Sequence, residues 1–177
     1  MKKIVSYIIS IIIFTVCLPA FGTKPDGKTD IFHYEFTLRL NDSTDIIYGV
    51  AGIDLRIIEE TCDIWFDFRN IDSSGRGMNI ISVKLDEKFV QWRHIDNRLT
   101  VTSDKVLPVN SVIKIVISYY GIPFDGLIIS KNKFGSRTFF SDHWPDRASC
   151  YLPVVDHPSD KAKVDFIIIA PLHYKVV

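Results

Sequence analysis

The stretch from Phe32 to Leu40 reads FHYEFTLRL, in which apolar and polar side chains alternate without a break. A period of two is typical of a β-strand with one buried face and one wet face, because successive side chains point to opposite sides of the pleat. Polar residues at 41–43 then supply a turn. The sequence therefore predicts that the domain begins with a half-buried strand.

The same alternation returns along the chain. It occurs at 51–57, 64–68, 81–85 and 113–119, and turn signals lie at 72–75, 86–88, 96–97 and 108–110. Short strands at about ten-residue spacing indicate an all-β fold of antiparallel strands, either a β-sandwich or a large curved sheet. The positions predicted to form its core are Phe32, Tyr34, Phe36, Leu38, Ile53, Leu55, Phe66, Phe68, Ile115 and Ile117.

Composition indicates a globular domain and gives no support to nucleic-acid binding. The 177 residues suffice for one domain, and 47% of them are hydrophobic against 24% charged. Lysine and arginine number 21, as do aspartate and glutamate, so the formal net charge is +0. Phosphate binding needs clustered, uncompensated basic residues. We therefore expect no nucleic-acid partner.

The N-terminus has the pattern of an export signal. Lys2 and Lys3 precede an apolar run at 4–16, which is shorter than the about 20 residues of a membrane span. We predict a signal peptide at 1–22, a mature domain at 23–177, and a periplasmic, secreted or cell-surface location without a stable membrane span. A retained anchor and lipidation at Cys17 are the alternatives. Export permits a disulfide between Cys62 and Cys150, but we favour free thiols.

The last third of the chain differs in character. Five of the eight prolines lie from Pro123 onward, and proline removes a donor from a strand ladder. This indicates a loop without a strand pattern, followed by a last strand at 163–170. A loop that carries so many large apolar residues is expected to pack against something. These residues are Phe139, Phe140, Trp144, Tyr151 and Leu152.

Two motifs in this region carry a resemblance to a known family. Residues 119–127 read YYGIPFDGL, and residues 153–162 read PVVDHPSDKA. Together with the 137–148 segment and the early strands, they resemble the N-terminal domain of family M1 zinc aminopeptidases over about residues 30 to 177. Two positions depart from the family pattern: Ser149 replaces a common Arg, and Val154 replaces a common Cys.

The resemblance implies a saddle-like β domain that caps a zinc-containing catalytic domain and borders its peptide cleft. That family binds zinc through H-E-x-x-H and also carries G-x-M-E-N, and this sequence contains neither. Its five histidines include no pair four residues apart, the spacing that two ligands on one helical face require. We therefore expect no catalytic residue, no metal ligand and no cofactor in this chain, and no peptidase activity from it alone. Zinc is expected in a separate catalytic domain, its partner in cis or as another chain.

The resemblance also suggests candidate binding residues. In the family, a Gln or Glu near the position of Trp144 helps to hold the substrate's free amine. Trp144 cannot do this, whereas Asp142 offers a carboxylate suited to an ammonium group. Trp144 is instead an expected interface anchor, beside the other apolar residues of the loop. The alternative hypothesis is a free-standing secreted β-sandwich that binds a protein or glycan through Trp65, Trp92 and Tyr120.

Overall fold

The computed structural model describes residues 27–177, so the predicted signal peptide at 1–22 lies outside the described residues. The strands are β1 (Thr29–Arg39), β2 (Ile47–Ile57), β3 (Thr61–Asp67), β4 (Gly77–Leu85), β5 (Lys88–Phe89), β6 (Gln91–Ile95), β7 (Arg98–Leu107), β8 (Val112–Ile122), β9 (Leu127–Lys131), β10 (Arg137–Ser141) and β11 (Lys163–Ile169). Within residues 27–177 there is no α-helix, and one 3-10 turn covers Ala148–Cys150. The predicted all-β fold is confirmed.

The strands form three sheets. A six-stranded sheet has the order β11-β1-β2-β8-β4-β5, a three-stranded sheet has the order β3-β7-β6, and β9 pairs with β10. The pairings are antiparallel except that of β1 with β11, which is parallel and was not expected from the sequence. The inner faces of the two larger sheets share one core, in which the Phe68 ring meets the Tyr119 ring edge-on at 5.0 Å.

Nine of the ten predicted core residues are buried, and Phe32 is the exception at 40% exposed. The pairing of β1 with β2 shifts register between Ile31 and His33, so the bulge turns Phe32 outward while Ile31 faces the core. The same thing happens on β4, where a register shift between Ile80 and Ser82 leaves Ile81 58% exposed. A bulge inserts one extra residue and so reverses the alternation on one side of it.

The turns follow the sequence signals closely. Asp96 and Asn97 both have positive φ, 53° and 59°, between β6 and β7. That conformation is the one a two-residue hairpin requires, and Asn and Asp tolerate it better than other side chains. In the 72–75 turn the backbone N–H of Gly75 donates to the carbonyl of Asp72 at 3.0 Å. Cys62 and Cys150 are both free thiols.

Candidate functional site

The aromatic segment is part strand and part loop. Phe139 and Phe140 lie on β10, where they pair with Ile129 and Ile128 of β9. The expectation that this segment lacks strand structure is therefore wrong for these two residues. The reason is visible in the sequence, because residues 124–144 contain no proline and Gly135, with φ of 83°, provides the turn between β9 and β10.

Arg147 closes the loop that follows β10. Its Nε donates to the carbonyl of Trp144 at 2.6 Å, and its Nη2 donates to Asp142 Oδ2 at 2.9 Å. Its Nη1 lies 3.6 Å from Asp125 Oδ1. The backbone of Arg147 in turn packs on Gly126, where any Cβ would collide with the Arg147 carbonyl. These contacts fix residues 142–147 as one tight turn.

This turn presents Trp144 to solvent. Trp144 is 75% exposed and Phe140 is 63% exposed, while Phe139 is half-buried against the Tyr174 ring at 5.4 Å. Because Arg147 fixes the turn, the large apolar side chain of Trp144 is held in its exposed position. Phe139, Phe140 and Trp144 therefore remain candidates for contact with a partner, and we name them the aromatic edge.

Tyr151 and Leu152 do not share this surface. They are 1% and 2% exposed, because the chain turns inward after the 3-10 turn and places both side chains in the core. The Tyr151 hydroxyl bonds the Nε2 of His143 at 2.7 Å. Burial lowers the pKa of His143 and raises the pKa of Tyr151. Tyr151 and Leu152 therefore stabilise the loop from inside, and neither presents a side chain to a partner.

Asp142 is already engaged on both carboxylate oxygens. Its Oδ2 accepts the Arg147 guanidinium, and its Oδ1 accepts the backbone N–H of Trp144 at 3.2 Å. A substrate ammonium would have to compete with a guanidinium that also holds the turn together. The geometry gives Asp142 a clear positioning role, and its predicted substrate contact stays a prediction.

The PVVDHPSDKA motif ties the loop to the sheets. Asp156 Oδ2 accepts the backbone N–H of Ser149 at 2.9 Å, and the backbone N–H of Asp156 donates to Asp67 Oδ2 at 3.1 Å. The Tyr34 hydroxyl donates to Asp160 Oδ2 at 2.8 Å and accepts the backbone N–H of Val155 at 3.1 Å. The hydrogen bonds of this motif therefore hold the backbone of the loop in place against the sheets.

Next to this motif the inner face of the large sheet is incompletely covered. A cavity of about 430 Å³ opens between β11 and the 143–162 segment, and its walls include Tyr34, Phe36, Leu152, Val164 and Phe166. Phe166 is 46% exposed even though its ring lies 5.6 Å from the Phe36 ring. A second cavity, of about 400 Å³, has Phe139 of the aromatic edge and Phe166 and Ile168 of β11 in its walls.

The described residues hold no group that fits zinc. Across 27–177, no three His, Cys, Asp or Glu side chains converge in a way that could hold a metal ion. In the same range no helix has the length and apolar character needed to cross a bilayer.

Sequence reasoning missed two residues of this site. Arg147 lies inside the segment that carries the family resemblance, but nothing in its spacing predicts that it bonds residues on both sides of the loop. His143 follows an Asp in the sequence, but its hydrogen-bond partner is the Tyr151 hydroxyl, eight residues on.

Solved structures with the same fold are zinc peptidases. The M1 zinc metallopeptidase from Deinococcus radiodurans superimposes with a TM-score of 0.66 at 19% identity, covering 82% of this chain and 33% of that chain. A mutant of that enzyme bound to a Tyr-Ser-Ala substrate gives a TM-score of 0.65 at 20% identity, covering 81% and 33%. At such identities the likeness shows a shared fold, that of a β module within M1 zinc metallopeptidases.

The family assignment follows from the sequence match. The family described as Peptidase M1 N-terminal domain matches residues 31–177, which include nearly all of β1 and every later strand. The chain therefore belongs to the Peptidase M1 N-terminal domain family. A search of curated proteins found no significant match. The chain spans about a third of the length of the solved M1 structures that it matches.

Proposed function

We propose that this chain is a non-catalytic, exported module that caps an M1-type zinc catalytic domain and borders its peptide-binding cleft. The observation that carries the proposal is the aromatic edge, in which Trp144 and Phe140 stand exposed on a turn and strand fixed by Arg147. Family membership supplies the kind of partner, a catalytic domain present in cis or as a separate chain.

Docking through the aromatic edge suits the physics of interfaces. Exposed tryptophan on a rigid support loses little conformational entropy on binding and is enriched among residues that dominate association energy. The open apolar cavity beside β11 would add buried area to the same contact. The uncovered apolar surface is thus explained by a partner domain rather than by the domain's own stability.

The direct test is association with an M1 catalytic domain produced as a separate chain. We expect measurable binding by calorimetry, and we expect Trp144→Ala to weaken it by about 2 kcal/mol or more if Trp144 is a buried anchor. The matched control is Trp92→Ala, because Trp92 is also exposed, at 40%, but lies on β6 of the three-stranded sheet. Equal loss in both variants, or no binding by the parent chain, would contradict the proposal.

A second test concerns activity. We expect the purified chain neither to bind zinc stoichiometrically nor to cleave an aminoacyl reporter, and an in-frame H-E-x-x-H in the downstream coding sequence would support a catalytic domain in cis. Metal analysis and a fluorogenic assay with and without a chelator measure the first two points. Chelator-sensitive cleavage by this chain alone would overturn its assignment as non-catalytic.

The free-standing binding module remains the competing hypothesis. Strand register places its three candidate contacts on separate surfaces: Trp65 and Trp92 lie on opposite faces of the three-stranded sheet, and Tyr120 lies on the large sheet beside Tyr48. The Arg98 guanidinium also covers the Trp65 ring at 4.2 Å. A single glycan or protein site built on all three is therefore not favoured.

A further inference from the structure

His33 lies on the outward face of β1, between carboxylates from the strands on either side. Its Nδ1 is 3.1 Å from Asp54 Oδ2 on β2, and its Nε2 is 2.9 Å from Asp165 Oδ2 on β11. The His33 and Asp54 side chains are each 25% exposed, whereas the Asp165 side chain is 72% exposed. One imidazole thus joins three neighbouring strands.

The two contacts can be satisfied together by only one form of the ring. An ionised carboxylate only accepts hydrogen bonds, and a neutral imidazole has a single N–H to donate. With both ring nitrogens facing carboxylates, both must carry protons, which makes His33 an imidazolium. In the neutral form, a nitrogen lone pair would face one of the two carboxylates. The contact with Asp165 and then that with Asp54 raise the pKa of His33 accordingly.

The charges around His33 come from every strand packed against it. Lys114 Nζ on β8 lies 3.6 Å from Asp54 Oδ1, which leaves the other oxygen of Asp54 to the imidazole. In the register, Lys163 is the partner of His33 on β11, and Glu35 lies two residues along on the same face of β1. Further along this face, on the far side of the bulge, Asp30 on β1 is the register partner of Arg56 on β2. The Asp54 and Asp165 carboxylates, which contact His33, therefore lie on a surface where acidic and basic residues nearly balance.

Strand β11 needs such a contact because little else covers it. It is the edge strand of the large sheet, joined only to β1, and six of its seven residues are exposed. Its end is tied by the backbone N–H of Leu40, which donates to the carbonyl of Ile169 at 2.8 Å. Near its beginning, the Asp165 carboxylate bonds His33 and the Phe166 ring packs on the Phe36 ring.

We propose that His33 is a pH-sensitive latch that holds the beginning of β11 on the sheet while its imidazole is doubly protonated and releases it when the imidazole loses a proton. The sign follows from linkage. A histidine whose pKa is raised by folding contributes its full stabilisation below the ordinary value of about 6.5, and the contribution is lost as the pH rises through the raised pKa. The latch therefore weakens towards alkaline pH.

Hydrogen exchange measured by mass spectrometry tests this on the purified chain. After correction for intrinsic exchange rates, we expect protection of the 163–166 amides to fall between pH 6 and pH 9, by about tenfold for each unit by which the pKa of His33 exceeds 6.5. Protection across β8 should stay constant over that range. NMR of the imidazole should show His33 still protonated on both nitrogens above pH 6.5.

Two variants make the test decisive. His33→Gln should abolish the pH dependence at β11, and Asp165→Asn, at a highly exposed position that folding tolerates, should do the same and lower the pKa of His33. The matched control is His173→Gln, because His173 also faces one carboxylate, Asp42, at 3.6 Å but does not bridge two strands. A pH-dependent β11 that survives in both variants, or a His33 that titrates at or below 6.5, would overturn the proposal.

Discussion

Strands β8 and β11 have similar compositions and opposite environments. β8 reads VIKIVISYYGI and lies between β2 and β4, and its Ile113, Ile115 and Ile117 are at most 5% exposed. β11 reads KVDFIII and lies at the edge of the same sheet. Its Val164 and Phe166 face inward, since they pair with the core residues Tyr34 and Phe36, yet they are 48% and 46% exposed. Apolar composition therefore does not decide burial in this domain.

What decides burial is the number of neighbours. A central strand is flanked on both sides and covered on its inner face by the second sheet, so its inward side chains leave water completely. An edge strand has one neighbour, and beyond it nothing in the described chain covers its apolar residues. Edge strands of this kind are normally protected by charge, twist or a covering element. On β11 the protecting charges are Lys163 and Asp165, and the partner domain that we propose would complete the protection.

The largest expected effect comes from truncating one inward-facing side chain in each strand. Ile115→Ala should lower the free energy of unfolding by about 2–5 kcal/mol, since it removes a fully buried side chain and leaves a cavity. Val164→Ala should cost less than about 1 kcal/mol, because that inward-facing side chain is already half in water. Urea denaturation followed by tryptophan fluorescence measures both. Equal costs would show that β11 is covered in solution.

A smaller effect on stability is expected from substituting two glycines of β2, which lie on opposite faces of the large sheet. Gly49 faces the core, where a Cβ would collide with the Tyr119 ring, so Gly49→Ala should destabilise by about 1–3 kcal/mol through overpacking. Gly52 faces outward, where a Cβ would meet the flexible Lys114 Cε at 3.4 Å. Gly52→Ala should therefore stay within about 1 kcal/mol of the parent chain.

The two variants are a matched pair, because each adds one methyl group to the same strand. Thermal and urea unfolding measure the stability of both. A Gly52→Ala variant as unstable as Gly49→Ala would mean that the outer face is as tightly packed as the core. That result would weaken the distinction between the two faces on which the comparison of strands depends.

The sequence predicts burial well wherever alternation runs without a bulge. Tyr34, Phe36 and Leu38 on β1 were correctly placed because the register continues unbroken past them. Phe32 was misplaced because one extra residue in the ladder reverses the alternation, and no local signal in the sequence marks that position. Bulges depend on how the partner strand is paired, which is information from distant parts of the chain.

The candidate site was less predictable for the same reason. The aromatic residues were visible in the sequence, but the separation of exposed Trp144 from buried Tyr151 depends on a turn closed by Arg147 through contacts with Asp142 and Asp125. The histidine contacts are likewise long-range: His33 meets Asp165 across 132 residues. Spacing rules cannot find partners that only sheet topology brings together.

The smallest expected effect concerns an edge strand of the three-stranded sheet, β6, and it has the opposite sign from that at β11. His94 on β6 stacks on the Phe68 ring at 5.2 Å, and its Nε2 donates to the carbonyl of Phe68 at 2.8 Å. A neutral ring satisfies this single acceptor, and burial, the largest cause, lowers the pKa of His94. The stabilisation is therefore present above pH 6.5 and is lost as the pH falls through the lowered pKa.

We accordingly expect exchange protection at 91–95 to fall on acidification from pH 7 to pH 5, while protection at 163–166 rises or stays constant. His94→Gln keeps a side-chain donor for Phe68 but does not titrate, so it should remove the acid dependence at β6 and leave β11 unchanged. The effect is small because His94 is only half-buried and a single strand is involved. If protection at β6 and β11 changed with pH in the same direction, a global change in stability would explain both responses. The opposite protonation preferences of His94 and His33 would then not govern these two edge strands.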